Sequence, residues 1–194
     1  PPVSDYKELE VTVPQVYFGE LTNDYVVVNT DEQEFDYPMG EELQTTKYQG
    51  TAGIKLNFLN KVLYSIREGS FKLLVSGGVN SDSKIIINRN IMDRVNKIAP
   101  FLSYDEDPYA VVVNGKIYYI IDGYTTTKYF PYAEPFNENA NYIRNSFKVI
   151  VDAYNGDVDY YIVDEKDPLV ETYSKIFPKL FKPMSDMPKE FVSH

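Results

Sequence analysis

NYIRNSFKVIVDAYNGDVDYYIVDEKDP, residues 141–168, is the stretch whose reading decides the fold class. Two β-rich runs flank Asn155-Gly156, and an Asn-Gly pair in that setting is a strong hairpin signal because both residues accept the positive φ of a tight primed turn. With a two-residue turn, Ala153 stands opposite Val158, Val151 opposite Tyr160 and Val149 opposite Ile162, which makes one face apolar. The other face sets Ile150 against Tyr161 and Asp152 against Asp159, and directly opposed carboxylates repel. That conflict calls for solvent, for a basic neighbour such as Lys148 or Arg144, or for a cation. Asp152 and Asp159 are therefore the candidate metal ligands, with Ca2+ the hard cation that suits carboxylate oxygens. No loop follows the EF-hand pattern, so a calcium site here would be irregular; no other cofactor is expected.

A second Asn-Gly pair, Asn114-Gly115, joins Tyr109–Val113 to Lys116–Ile121. Its two-residue loop sets Val112 against Ile117, Ala110 against Tyr119, Val111 against Tyr118 and Tyr109 against Ile120. Both faces are apolar, as in a central hairpin covered on both sides.

Between the hairpins runs DGYTTTKYFPYAEPFNENANYIRNS, residues 122–146, rich in turn residues and aromatics. A long connection without clear structure is often functional in a compact domain. Tyr124, Tyr129, Phe130, Tyr132, Phe136 and Tyr142 suit a platform for a sugar or peptide, with Thr125, Thr126, Arg144 and Asn145 as polar contacts. The alternative is that these aromatics pin the connection to the core.

Elsewhere the chain mixes strands and helices. Leu9, Val11 and Val13 alternate like an edge strand. Tyr25–Asn29 is expected to fold back through Thr30–Gln33 onto Glu34–Tyr37, and Asp31, Glu32, Glu34 and Asp36 resemble a cation site but read as a solvated turn. From Gly53, Ile54, Phe58, Val62 and Ile66 recur at helical spacing, widened by Leu59 and Leu63. Gly69 is the expected stop, and Phe71–Val75 is expected to be a buried strand. Ser76-Gly77-Gly78 follows it without either phosphate-loop pattern. Ile87, Ile91, Val95 and Ile98 place a helix from about Asn90, ended near Pro100. A last helix has Asp167 as N-cap, Pro168 at its first position and a stripe of Leu169, Val170, Tyr173, Ile176 and Phe177. The fold class is α+β: antiparallel hairpins packed with three to four helices, in a single domain over residues 1–194 or in two small lobes.

Composition narrows the chemistry. The 194 residues carry a net charge of −10 and a pI near 4.6, which disfavours nucleic acid and acidic partners. There is no Cys, so thiolate chemistry and disulfides are excluded and the redox compartment stays undecided. The single His is His194, which leaves no internal base for a Ser-His or Cys-His arrangement. No run of about 18 apolar residues occurs, so no stretch reads as a membrane span. The opening Pro1-Pro2-Val3 is expected to follow removed upstream residues. An enzyme would have to use carboxylates, as in glycan hydrolysis by two acids across a cleft. Asp105, Asp107, Asp122, Glu134 and Asp152 are the candidates, and nothing in their spacing selects a pair.

Several segments carry a family resemblance: VYFGELTNDYVVVNT (16–30), EFDYP (34–38), SIREGSFKLLVS (65–76), SDSKIIINRNIMDRVNKIAPFLSYDEDPY (81–109), YIIDGYTTTKYFPYAEP (119–135), NYIRNSFKVIVDAYNGDV (141–158) and DEKDPLVETYSKIFPKLFKPMSDMP (164–188). In this order they resemble uncharacterised protein family number 0182, large multi-span bacterial membrane proteins. Tyr119, where Trp is expected, and Gly123, where Ala is expected, are small departures. The resemblance implies several N-terminal membrane spans followed by a large extracytoplasmic part, of which this chain is a fragment. Its partners would be the membrane-spanning part of the same chain and an envelope glycan, peptide or protein. No catalytic residue is carried over. A binding or interaction module is the leading expectation, and a carboxylate-based hydrolase of an envelope glycan is the alternative.

Overall fold

A computed structural model describes residues 10–39, 42–135 and 137–192, with the backbone alone at 35–39 and 42–44. Leu9, Phe136 and His194, and the side chain of Asp36, lie outside the described residues. Two compact units emerge, Thr22–Arg89 and the pair of segments Pro1–Leu21 and Asn90–His194.

In the first unit, β1 (Val26–Val28) pairs antiparallel with β5 (Lys84–Ile86), which also pairs with β4 (Ile54–Lys55). β2 (Glu34–Met39) pairs instead with β3 (Glu42–Thr46). The expected hairpin between Tyr25–Asn29 and Glu34–Tyr37 is therefore corrected. The all-apolar Val26–Val28 run finds Ile85 and Ile86 as partners of Val27 and Val26, with Val28 against Lys84. The chain is turned away at Asn29, whose φ is 58° and whose N–H donates to Glu34 Oε1 at 2.7 Å. Pro38 lies within β2, which a two-stranded ribbon tolerates because each strand has an open edge.

α1 (Phe58–Arg67) begins where Asn57 Oδ1 accepts from the Asn60 N–H at 2.9 Å. It stops at Gly69, with φ 63°, in a Schellman arrangement: Ser70 N–H donates to Ser65 O at 2.9 Å and Gly69 N–H to Ile66 O at 3.3 Å. The expected strand Phe71–Val75 is instead a short helix, α2 (Lys72–Val75), of which only Leu73 is buried. The run Phe71-Lys72-Leu73-Leu74-Val75 is too short for a period to separate the two states. Leu56, Leu73 and Ile85 form the core, with Tyr25, Val27, Tyr64, Val79 and Ile87 packed against it.

The second unit opens with α3 (Ile91–Ile98), N-capped by Asn90, whose Oδ1 accepts from Asp93 N–H at 3.1 Å. A mixed sheet follows, in the order β11 (Phe181–Pro183), β10 (Val158–Ile162), β9 (Tyr142–Asp152), β8 (Lys116–Thr127), β6 (Ser103–Tyr104), with β7 (Tyr109–Val113) also beside β8. α4 (Pro168–Ile176) and α5 (Lys189–Val192) complete it. β7 and β8 pair in the expected register, and Asn114 and Gly115 both have positive φ, 51° and 75°. Val111, Val113, Ile120, Ile150 and Tyr161 cluster with Met187 and Phe191 on one face of the sheet. On the other face the buried Tyr160 hydroxyl donates to Val95 O at 3.0 Å. Tyr104 donates to Val95 O at 3.1 Å and Ala99 O at 2.9 Å, so two phenols satisfy the last carbonyls of α3. Burial pushes the Tyr104 phenol up to about 12.

β9 and β10 depart from the expected register. Val151 faces Val158, Val149 faces Tyr160 and Phe147 faces Ile162, a slip of two residues. A two-residue slip keeps each side chain on its face but changes its partner, so Asp159 lies opposite Ile150 rather than Asp152. The cause is Asp152. Its Oδ1 accepts from Tyr154 N–H at 2.7 Å and Asn155 N–H at 2.9 Å, and its backbone exchanges bonds with Gly156 and Asp157 at 2.7 and 3.0 Å. This Asx turn opens the connection to residues 153–157. Only Gly156 takes a positive φ there, 70°.

Candidate functional site

The aromatic connection between β8 and β9 folds largely onto its own unit. A bulge makes this possible: Gly123 pairs with Phe147 and Tyr124 with Asn145, which leaves Ser146 as the extra residue. Its carbonyl accepts from Val163 N–H at 2.8 Å, and its hydroxyl donates to Asp167 Oδ2 at 2.5 Å. Thr125 donates to the same carboxyl oxygen, while Tyr142 OH and Leu169 N–H donate to Oδ1, each at 2.9 Å. Asp167, the N-cap of α4, is thus fully buried with four donors. Burial pushes its carboxyl up, but the bonds from Ser146, Thr125, Leu169 and Tyr142 outweigh burial and hold it below the ordinary value.

Arg144 forms an ion pair with Asp164. Three of the candidate ligand residues, Thr125, Tyr142 and Arg144, therefore converge on the segment Asp164–Asp167. Phe130 stacks on Tyr142 at 4.4 Å, and the Asn141 side chain clamps Phe130 by accepting from its N–H at 2.9 Å and donating to its carbonyl at 2.8 Å. These aromatics pin the connection. Thr126 bonds Ser103 at 3.2 Å, Asn145 is exposed, and Tyr132 projects fully into solvent at φ 59°. Tyr124 is half-buried with its phenol pushed up, first by burial and then by Asp105 and Asp122.

The candidate metal ligands are not opposed. Asp152 caps its own turn, and Asp159 Oδ1 accepts from Lys182 Nζ at 2.6 Å. The Asp159 bond, the largest contribution, pushes the Lys182 ammonium up. Among the described residues no group of three or more His, Asp or Glu side chains is gathered for a metal ion. Of the five acids considered for catalysis, Asp105 and Asp122 both act, after burial, on the Tyr124 phenol. Asp107 N–H donates to Asp105 Oδ1 at 3.2 Å, and Glu134 is exposed. An open cavity of about 340 Å³ lies at the Thr30–Glu34 turn, lined also by Thr45, Thr46 and Lys47, and holds none of those five acids.

α1 presents the most unusual surface. At 3.6 residues per turn, Phe58, Val62, Ile66, Leu59 and Leu63 occupy an arc of roughly 140°. That arc faces solvent: Phe58 is 81% exposed, Leu59 64%, Leu63 53% and Ile66 73%. Its buried residue is Ser65, whose hydroxyl has no partner, and Lys61 Nζ reaches inward to Val79 O at 2.9 Å. In the adjoining α2 region Phe71 is 76% and Val75 81% exposed. The helix has been mounted with its polar side inward. The spacing of the stripe was legible in the sequence, but its direction was not, because periodicity identifies a face without identifying what covers it.

The family model described as "Uncharacterised protein family (UPF0182)" matches residues 1–194. A UPF0182 protein of Alkaliphilus metalliredigens is 56% identical over 194 residues, all of this chain and 21% of that protein. One from Clostridium botulinum (strain Kyoto / Type A2) is 55% identical over 186 residues, 96% of this chain and 21% of its own length. Another, from Desulfitobacterium hafniense (strain Y51), is 51% identical over 195 residues, 100% of this chain and 20% of its own length. The chain thus spans about a fifth of the length of the curated relatives it matches. No solved structure matches. Among the described residues no helix is long and apolar enough to cross a membrane.

Proposed function

The chain belongs to the uncharacterised protein family UPF0182, and from that premise we propose that it is an extracytoplasmic interaction module of a multi-span bacterial membrane protein. Contact is made through the outward apolar face of α1 and α2, with the membrane spans of the same polypeptide holding the module at the cell envelope. The observation that carries this reading is the inverted helix: four large apolar side chains of α1 face water while Ser65 is buried. Contiguous exposed apolar surface of this kind marks interaction sites in folded proteins. The clustering of Thr125, Tyr142 and Arg144 on Asp164 and Asp167 supports a structural role for that part of the β8–β9 connection, which leaves the helix face as the surface with unmet contacts.

The absence of Cys from the 194 residues allows one experiment to address both location and contact. Lys166→Cys, in an exposed turn, and Leu63→Cys are placed separately in the full-length protein, with the unsubstituted protein as the blank. A membrane-impermeant thiol reagent applied to intact cells is expected to label Lys166→Cys and to spare Leu63→Cys, whereas both label in the isolated chain. No labelling of Lys166→Cys in intact cells, with labelling restored by permeabilisation, would place the module on the cytoplasmic side. Equal labelling at the two positions in the full-length protein would remove the contact surface.

A further inference from the structure

We propose that the apolar face of α1, with the adjoining α2, docks on the anionic surface of a lipid bilayer. The proposal rests on the reading of that face as a contact surface and names what it contacts. Charge is the first argument. Residues 53–76 contain Lys55, Lys61, Arg67 and Lys72 against the single acid Glu68, within a chain of net charge −10. Lys55 and Lys72 are exposed beside the apolar residues, whereas Lys61 is bonded to Val79 O and Arg67 to Glu68 at 3.3 Å. An apolar face flanked by cations, on an otherwise acidic protein, complements a surface of hydrocarbon beneath negative headgroups.

The chemistry of the face separates this occupant from the others. The arc from Phe58 through Ile66 and Leu59 to Leu63 carries no hydrogen-bonding side chain, whereas a specific protein interface makes about one hydrogen bond per 100–200 Å². A second copy paired through the same face would bring its Lys55 and Lys72 toward the same cations, which opposes association. A bilayer needs neither pocket nor hydrogen-bond register, and an apolar helix face lies at the boundary of headgroup and acyl chain.

The test is flotation of the 194-residue chain with vesicles of phosphatidylcholine, alone or mixed with phosphatidylglycerol, and circular dichroism checks each variant's fold. Binding to the anionic vesicles is expected, with loss in Leu63→Asp/Ile66→Asp. Lys55→Gln/Lys72→Gln is expected to weaken binding by about 30-fold, the effect of two surface lysines near anionic lipid. Failure of the unaltered chain to float with either vesicle would overturn the proposal, as would flotation that Leu63→Asp/Ile66→Asp leaves unchanged. A lipid-free dimer in sedimentation equilibrium that Leu63→Asp dissociates would overturn the lipid occupant and leave the contact surface standing. The contact surface itself falls if Leu63→Cys is labelled in the full-length protein as fully as Lys166→Cys.

Discussion

Gly156 shows how one residue fixes a neighbourhood. It has φ 70°, and a Cβ placed there would lie 2.5 Å from two carbons of the Phe18 ring, which is itself buried. Above that ring, at 4.7 Å, sits the Arg94 guanidinium, whose Nε donates to Gly156 O at 2.6 Å. Burial, the largest influence, lowers the Arg94 pKa, and Asp157 opposes it. Gly156→Ala therefore meets backbone strain and a ring clash together, and urea unfolding is expected to show a loss of about 2–4 kcal/mol. Asp167 is the second such residue. Asp167→Ala strands the Thr125, Ser146 and Tyr142 hydroxyls and removes the cap of α4, an expected cost of about 2–4 kcal/mol. Because the folded carboxyl titrates below the unfolded value of about 3.9, its contribution is complete above that pH and is lost as pH falls through the folded value. Stability followed by chemical denaturation from neutral pH into the acid range should fall less steeply in Asp167→Asn than in the unaltered chain.

The two Asn-Gly hairpins mark what the sequence discloses about elements. At Asn114-Gly115 the residue three positions before Asn is Val111, which offers the backbone nothing to bond, and the register is the one that a two-residue primed turn dictates. At Asn155-Gly156 that position is Asp152, whose carboxylate captures two N–H groups and lengthens the loop. Hairpin identity and facing survived; partners did not, and with them went the opposed carboxylates. A polar side chain that competes with the backbone is visible in a sequence, but whether it wins depends on packing such as Phe18 against Gly156. Helix ends were legible for the same local reasons at Gly69, Asn90 and Asp167, whereas Ile54, read into the stripe of α1, lies in β4 and the helix starts only after its cap, Asn57. The convergence of Thr125, Tyr142 and Ser146 on Asp167 was not, because it depends on a bulge 21 residues away. α1 offers a test at this scale. In the isolated chain Leu63→Ser should change stability by no more than about 0.5 kcal/mol, as for an exposed position. Ile85→Ala, at the core of the same unit, should cost about 2–4 kcal/mol. Equal costs at the two sites would mean that Leu63 is covered within the chain itself.

Over the whole molecule, the segment is a fraction of a longer family architecture, since its relatives extend about five times its length. Within it Asp152 and Asp167 serve as turn and helix caps and Asp159 and Asp164 as ion-pair partners, while Phe58, Leu59, Leu63, Ile66, Phe71 and Val75 face outward on the unit Thr22–Arg89. The proposed account makes that surface the contact through which the module works. Hydroxyl-radical footprinting of Phe58, Leu63, Ile66 and Phe71, in the isolated chain and in the full-length protein within its native membrane, addresses this most directly. Oxidation of these four side chains is expected to drop at least about fivefold in the membrane-embedded protein while that of the fully exposed Tyr132 stays constant. Unchanged oxidation at all four would contradict the account.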